Sequence, residues 1–143
     1  MEPSLSIAII DARQPGFGAS GRNGGWCSAL YPTSLDTIAA ETSREMAVNL
    51  QLHLIRTVKD IGTYISEKNI KCGWNQSGTL SFSRNEAQLE RQHADVSMYR
   101  DLGLGDDFIR TLTSTEAQQQ VAITKTLGAS FTPHCASLNP AQL

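Results

Sequence analysis

Residues 11 to 26 read DARQPGFGASGRNGGW and hold five of the chain's 11 glycines. A carboxylate (Asp11), a hydroxyl (Ser20), two guanidinium groups (Arg13, Arg22) and a carboxamide (Asn23) share this stretch with them. Such groups suit a phosphorylated cofactor. The carboxylate accepts hydrogen bonds from sugar hydroxyls, and glycine lets backbone amides come close to phosphate. Two phosphate signatures overlap here. Gly16 and Gly21 have the outer spacing of a P-loop, but Arg22 and Asn23 stand where a P-loop needs Lys and then Ser or Thr. A guanidinium does not replace that lysine. Gly16, Gly18 and Gly21 satisfy G-x-G-x-x-G, yet that turn must follow its strand directly and open a helix. Here DARQP intervenes, and Gly24, Gly25 and Pro32 interrupt a packed helix. A third placement fits. In a dinucleotide-binding unit an acidic residue follows the first glycine turn by about 20 residues, at the end of the second strand, and binds the ribose. Asp11 follows the apolar run LSIAII and matches that position.

Other elements must hold this loop in place. LSIAII predicts a buried strand of a parallel sheet. The glycine-rich segment is then a loop after a strand. Thr42 and Glu45 make a capping box at the start of a long helix or within its first turns, and Leu50, Leu54, Ile61 and Ile65 form its apolar stripe, with Asn69 as the stop. IKCGW and GTLSFS predict two short strands in a hairpin or meander. RNEAQLERQHADVSMYRDLGL predicts a second helix ending near Gly103. DFIRTLT and GASFT read as strands, and STEAQQQV as a short helix capped by Ser114 or Thr115. LNPAQL opens another helical turn, with Asn139 as cap and Pro140 first.

The 143 residues set the scale of one domain, or of a piece of a larger one. Twelve Lys and Arg against 14 Asp and Glu give a net charge of -2, with no footprint for nucleic acid. No apolar run approaches the ~18 residues of a membrane span, and the first residues lack the features of a signal peptide. Three widely spaced cysteines, Cys27, Cys72 and Cys135, point to neither disulfides nor a metal site. They fit free thiols in a reducing, cytoplasmic compartment. His53 and His93 fall on helices and read as solvated. His134 beside Cys135 is not a nucleophile–base pair, which needs the two groups to meet across a pocket. Trp74 and Phe82 read as core.

The run IAIIDARQPGFGASGRNGGW resembles the second-strand region of the flavin-dependent amino-acid and amine oxidoreductases, the D-amino-acid-oxidase-like family. It is most similar to the branch of the glutamylputrescine oxidoreductases. IKCGWNQSGTLSFS and GASFTPHCASLNPAQL resemble that branch in order and spacing. The resemblance implies a mixed α/β fold: part of an FAD-binding Rossmann-like domain with the beginning of an antiparallel substrate domain. Residues 1–34 would be the second strand and FAD loop, and 35–143 the helices and first substrate-domain strands. It implies FAD as cofactor and a small amine or amino acid as substrate, with hydride passing from the carbon bearing nitrogen to the flavin and the imine hydrolysed later. It further implies that Asp11, Ala12 and Arg13 lie by the ribose, Gly18, Ala19 and Ser20 by the pyrophosphate, and Arg22, Asn23, Gly24 and Gly25 by the isoalloxazine. No catalytic residue is identified. On this reading the first strand, glycine turn and helix are expected before Met1, as the missing remainder of the domain, and the chain alone is expected to hold FAD weakly. The alternatives are a non-catalytic fragment and an interaction module built on the two amphipathic helices.

Overall fold

The computed structural model describes residues 4–143; Met1 to Pro3, the start of the expected first segment, lie outside them. After an irregular stretch comes a single helical turn, α1 (Ala19–Arg22), then β1 (Trp26–Ser28), α2 (Leu35–Glu41) and α3 (Arg44–Glu67). Next are β2 (Thr79–Ser83), α4 (Glu86–Asp101), β3 (Arg110–Thr113), α5 (Ser114–Gln120), β4 (Gly128–Thr132), β5 (Cys135–Ser137) and a closing 3-10 turn, Pro140–Gln142. The mixed α/β class expected from the sequence is the one observed. Both sheets are antiparallel: β1 pairs with β5, and β4 lies between β2 and β3.

Helix α3 is the spine. Ala47, Gln51, Ile55, Val58 and Ile65 are its buried residues, and Ile55 and Val58 meet Ala29 just past β1. Leu50, Leu54 and Ile61 of the expected stripe are only half-buried, so the seam runs beside the predicted line. Trp74 joins this core by lying against Gly62, where a Cβ would come within 2.9 Å of the indole nitrogen. Asn69 does stop the helix: it adopts φ 52°, a left-handed conformation that asparagine tolerates.

Helix α4 packs over the β2–β4 ladder. In that ladder Leu80 faces Phe131 and Phe82 faces Ala129, while Ser81 faces Ser130 and Thr79 faces Thr132. Side chains alternate along a strand, so one face is apolar and the other carries hydroxyls. Helix α4 covers the hydroxyl face. Gln92 donates Nε2–H to the Ser81 carbonyl at 2.7 Å, and Leu89 lies where a Cβ on Gly128 would point. Helix α5 comes close to β3 and β4, and its Ala117 is buried.

The structure corrects several expectations. Residues 5–10 form no strand, and Ile9 and Ile10 are 95% and 91% exposed. A parallel strand exists only beside a hydrogen-bonding neighbour, and none among the described residues lies there. IKCGW is not a strand of a hairpin or meander: Asn75 bridges Ser137 and β2 pairs with β4, the chain being bent by Gly73 and Gly78 at positive φ. The long helix forms as one unbroken element, α3, but its cap is Ser43 rather than Thr42, and the short helix α2 before it was not anticipated. Thr42 ends α2, its hydroxyl donating to the Ile38 carbonyl at 2.6 Å, and Ser43 caps α3 by accepting from the Met46 amide. Thr113, not Ser114 or Thr115, caps α5 in a capping box with Glu116. Cap identity turns on which residue leaves helical φ and ψ, and adjacent Ser and Thr compete for it. Strands β1 and β5 were not anticipated. Helix α4, strands β3 and β4, and the Asn139-capped final turn form where the sequence placed them.

Candidate functional site

The glycine-rich stretch is a loop around one helical turn, and its shape follows from three local devices. Gly16 adopts φ 77°, and a Cβ on Gly21 would collide with the Gly16 carbonyl, so the loop closes on itself only with glycine at both places. Asn23 clamps the far end. Its Nδ2 donates to the carbonyls of Ala19 (3.0 Å) and Ser20 (3.1 Å), and its Oδ1 accepts from the Gly25 amide at 2.8 Å. Gly25, at φ 67°, fastens the loop to the body: its carbonyl accepts from the Leu138 amide at 2.9 Å, and a Cβ there would strike the Leu138 carbonyl.

Polar groups surround this frame. Asp11 turns back on its own backbone, Oδ1 accepting from the Arg13 amide at 3.0 Å, which leaves Oδ2 available. The guanidinium carbons of Arg13 and Arg22 lie 5.5 Å and 4.1 Å from the centroid of the Phe17 ring. Phe17, which sequence reasoning did not single out, thus ties the two cations to one platform; its place between two glycines and two arginines was the available signal. The directions a Cβ would take at Gly18 and Gly24 are open. The first amides of a helical turn have no partner within that turn, which concerns Ala19 and Ser20 here. Ala12, Ser20 and Arg22 are exposed. The structure therefore brings Asp11, Arg13, Phe17 and Arg22 into one chain of contacts. Asn23 and Gly25 are committed to holding the loop.

These residues suit a dinucleotide. An unshielded helical turn with two flanking cations fits a diphosphate, and the remaining carboxylate oxygen of Asp11 fits a ribose hydroxyl. Among the described residues no group of three or more His, Cys, Asp or Glu could hold a metal.

The sheet side carries its own ionisable groups. His134 Nε2 meets the Asp107 carbonyl at 3.1 Å, and its ring lies 5.6 Å from that of Phe108. Burial pushes its pKa down; the Asp107 carbonyl opposes this, Lys59 reinforces it and the Asp107 carboxylate opposes it. His134 is thus a neutral brace between two turns. Cys135 is buried, and its Sγ faces the Ala136 carbonyl rather than an imidazole. Burial, and then the neighbouring Cys135, raise the Cys27 pKa, so that thiol stays protonated. His53 and His93 are exposed on their helices.

Residues 2–143 match the family model of the DAO class, described as FAD dependent oxidoreductase. The chain belongs to this family. It is 26% identical over 145 residues to the gamma-glutamylputrescine oxidoreductase of Escherichia coli, covering 99% of this chain and 33% of that protein. It is 25% identical over 89 residues to the probable oxidoreductase OrdL of Haemophilus influenzae, covering 62% of this chain and 20% of that one. Among solved structures it is similar to glycine oxidase from Geobacillus kaustophilus, with TM-score 0.56 and 20% identity over 89% of this chain and 32% of that one. Glycine oxidase from Bacillus cereus gives TM-score 0.53 and 16% identity over 87% and 31%. At these identities the likeness to solved structures shows the fold. The chain spans about a third of the length of the first of these relatives. The family is FAD dependent, as the resemblance implied. No helix among the described residues is long and apolar enough to cross a membrane.

Proposed function

We propose that this chain supplies the ribose- and diphosphate-binding segment of an FAD-dependent oxidoreductase that oxidises a small amine or amino acid. The observation that carries this reading is the joined arrangement of Asp11, the closed glycine turn and the Arg13–Phe17–Arg22 platform. When bound, FAD supplies the acceptor for the hydride leaving the carbon that bears nitrogen. The chain's own residues bind and orient. Asp11 accepts from the ribose hydroxyls, with Ala12 and Arg13 beside it. Gly18, Ala19 and Ser20 present backbone amides and a hydroxyl to the diphosphate. Arg22, which the resemblance would place by the isoalloxazine, instead balances the diphosphate's charge from its seat over Phe17, and Gly24 leaves space for the flat ring while Asn23 and Gly25 fix the loop. Residues 1–34 form the cofactor segment, and 35–143 the beginning of the substrate domain. The two curated relatives are both named oxidoreductases, which supports the reaction class. The three free thiols support a cytoplasmic location.

The test is a titration of FAD with the protein, followed by flavin fluorescence, with Asp11→Ala alongside wild type. A charge-assisted hydrogen bond contributes roughly 1.5–3 kcal/mol. Asp11→Ala is therefore expected to weaken binding by about 10- to 150-fold. An unchanged dissociation constant would show that Asp11 does not hold the ribose.

A further inference from the structure

The cleft between α4 and the β2–β4 ladder lies outside the glycine-rich loop and has chemistry of its own. It encloses about 500 Å³, within the range of small-molecule sites. Its floor is the hydroxyl face of the ladder, with Ser81, Ser130 and Thr132, and its wall is α4. Arg91 and Asp95 stand four residues apart on that helix, and both line the cleft. They are not paired with each other. Among the described residues the ion pairs are Arg56–Asp60 and Arg100–Asp106. Of the neighbouring amides, Gln92 Nε2 donates to the Ser81 carbonyl while its buried Oε1 has no hydrogen-bond partner, and Gln88 Oε1 accepts from the Arg84 amide at 2.8 Å.

We propose that this cleft binds a small zwitterion, with Arg91 taking its carboxylate, Asp95 its ammonium group, and the hydroxyl floor its polar body. A lone anion would meet Asp95 and a lone cation would meet Arg91, so only a molecule carrying both charges satisfies both side chains. Tyr99 also lines the cleft. Burial, and then Asp95, raise its pKa, so its hydroxyl stays protonated and can donate. Two charge-assisted contacts at an open rim give weak, reversible binding, as for a site that senses millimolar concentrations. This goes beyond the flavin reading: it shares no residue with residues 11–25, and binding here needs no flavin.

The test is saturation-transfer NMR on the whole chain without FAD, using serine, N-acetylserine and serinamide. Serine is expected to bind, and each capped form to bind about tenfold or more weakly, because each has lost one charge. Arg91→Met and Asp95→Asn are each expected to weaken serine binding about tenfold, with Arg56→Met as an unaffected control. Arg91 and Asp95 are exposed, so the variants keep the wild-type fold, and far-UV circular dichroism checks this. Capped forms that bind as well as serine would overturn the proposal. So would variants with undiminished binding, or no serine binding at millimolar concentration. Because no flavin is present, such a failure leaves the FAD reading standing.

Discussion

From Ser4 to Gly24 every residue is exposed or half-buried, and the hydrogen bonds that shape the stretch join near neighbours in sequence, while α1 lies beside the closing turn Pro140–Gln142. Helix α3 is the opposite case: five of its residues are buried, and its Ile55 and Val58 reach Ala29 across the chain. The chemistry proposed for this protein sits in the first region, and the packing that fixes the fold sits in the second. A loop shaped by glycine and one asparagine clamp keeps its polar groups outward. A body built on aliphatic burial carries the loop through the Gly25–Leu138 hydrogen bond and through α1 lying against the closing turn Pro140–Gln142. Binding groups and folding energy are thus separable, and substitutions in the two regions should differ in kind.

The largest contrast lies between two isoleucines. Ile55 is 6% exposed in the core, and Ile55→Ala should cost roughly 2–5 kcal/mol through lost burial and a residual cavity. Ile9 is almost fully exposed, and Ile9→Ala should stay within about 0.5 kcal/mol. Urea denaturation of both variants measures this; equal losses would mean that residues 5–10 are packed. Next comes the joint between the regions. Gly25→Ala would place a Cβ against the Leu138 carbonyl at positive φ and should cost roughly 1–3 kcal/mol, whereas Gly24→Ala faces open space and should be near neutral. Thermal melts compare the pair, and an equally harmful Gly24→Ala would show that the loop is packed on both sides.

The smallest effect is the pH response of the His134 brace. Its folded-state pKa lies below the ordinary 6.5, with burial as the main cause. The unfolded chain therefore binds the proton more readily. The brace's stability is complete above about pH 6.5 and is lost as pH falls from there toward the lowered folded value. His134→Gln should flatten the pH dependence of the melting temperature in that window. A steeper curve in the variant would mean that another group carries the dependence.

What the sequence revealed follows the same division. Helix α4 was legible because Asn85 caps it, its side chain accepting from the Gln88 amide, and Gly103 ends it at φ 83°. Both signals are local. The family and its cofactor were legible because the loop's residue types sit in one contiguous run. Strands β1 and β5 were not, because three-residue strands carry no periodicity and exist only through pairing across more than a hundred residues. LSIAII misled for the converse reason: its composition fits a buried strand, but a strand also needs a neighbour, and composition cannot supply one. The Phe17 platform was missed because an aromatic between glycines reads as ordinary loop filling until the two guanidinium groups are placed.

NMR of the isotopically labelled chain titrated with FAD reads out directly whether residues 11–24 contact the flavin while the packed body carries them. Amide shift changes are expected to concentrate between Asp11 and Gly24, with the amides of Ala47, Ile55 and Val58 in α3 unmoved. Changes centred on the α4 cleft or spread through α3, or no change in the loop at saturating FAD, would contradict that expectation.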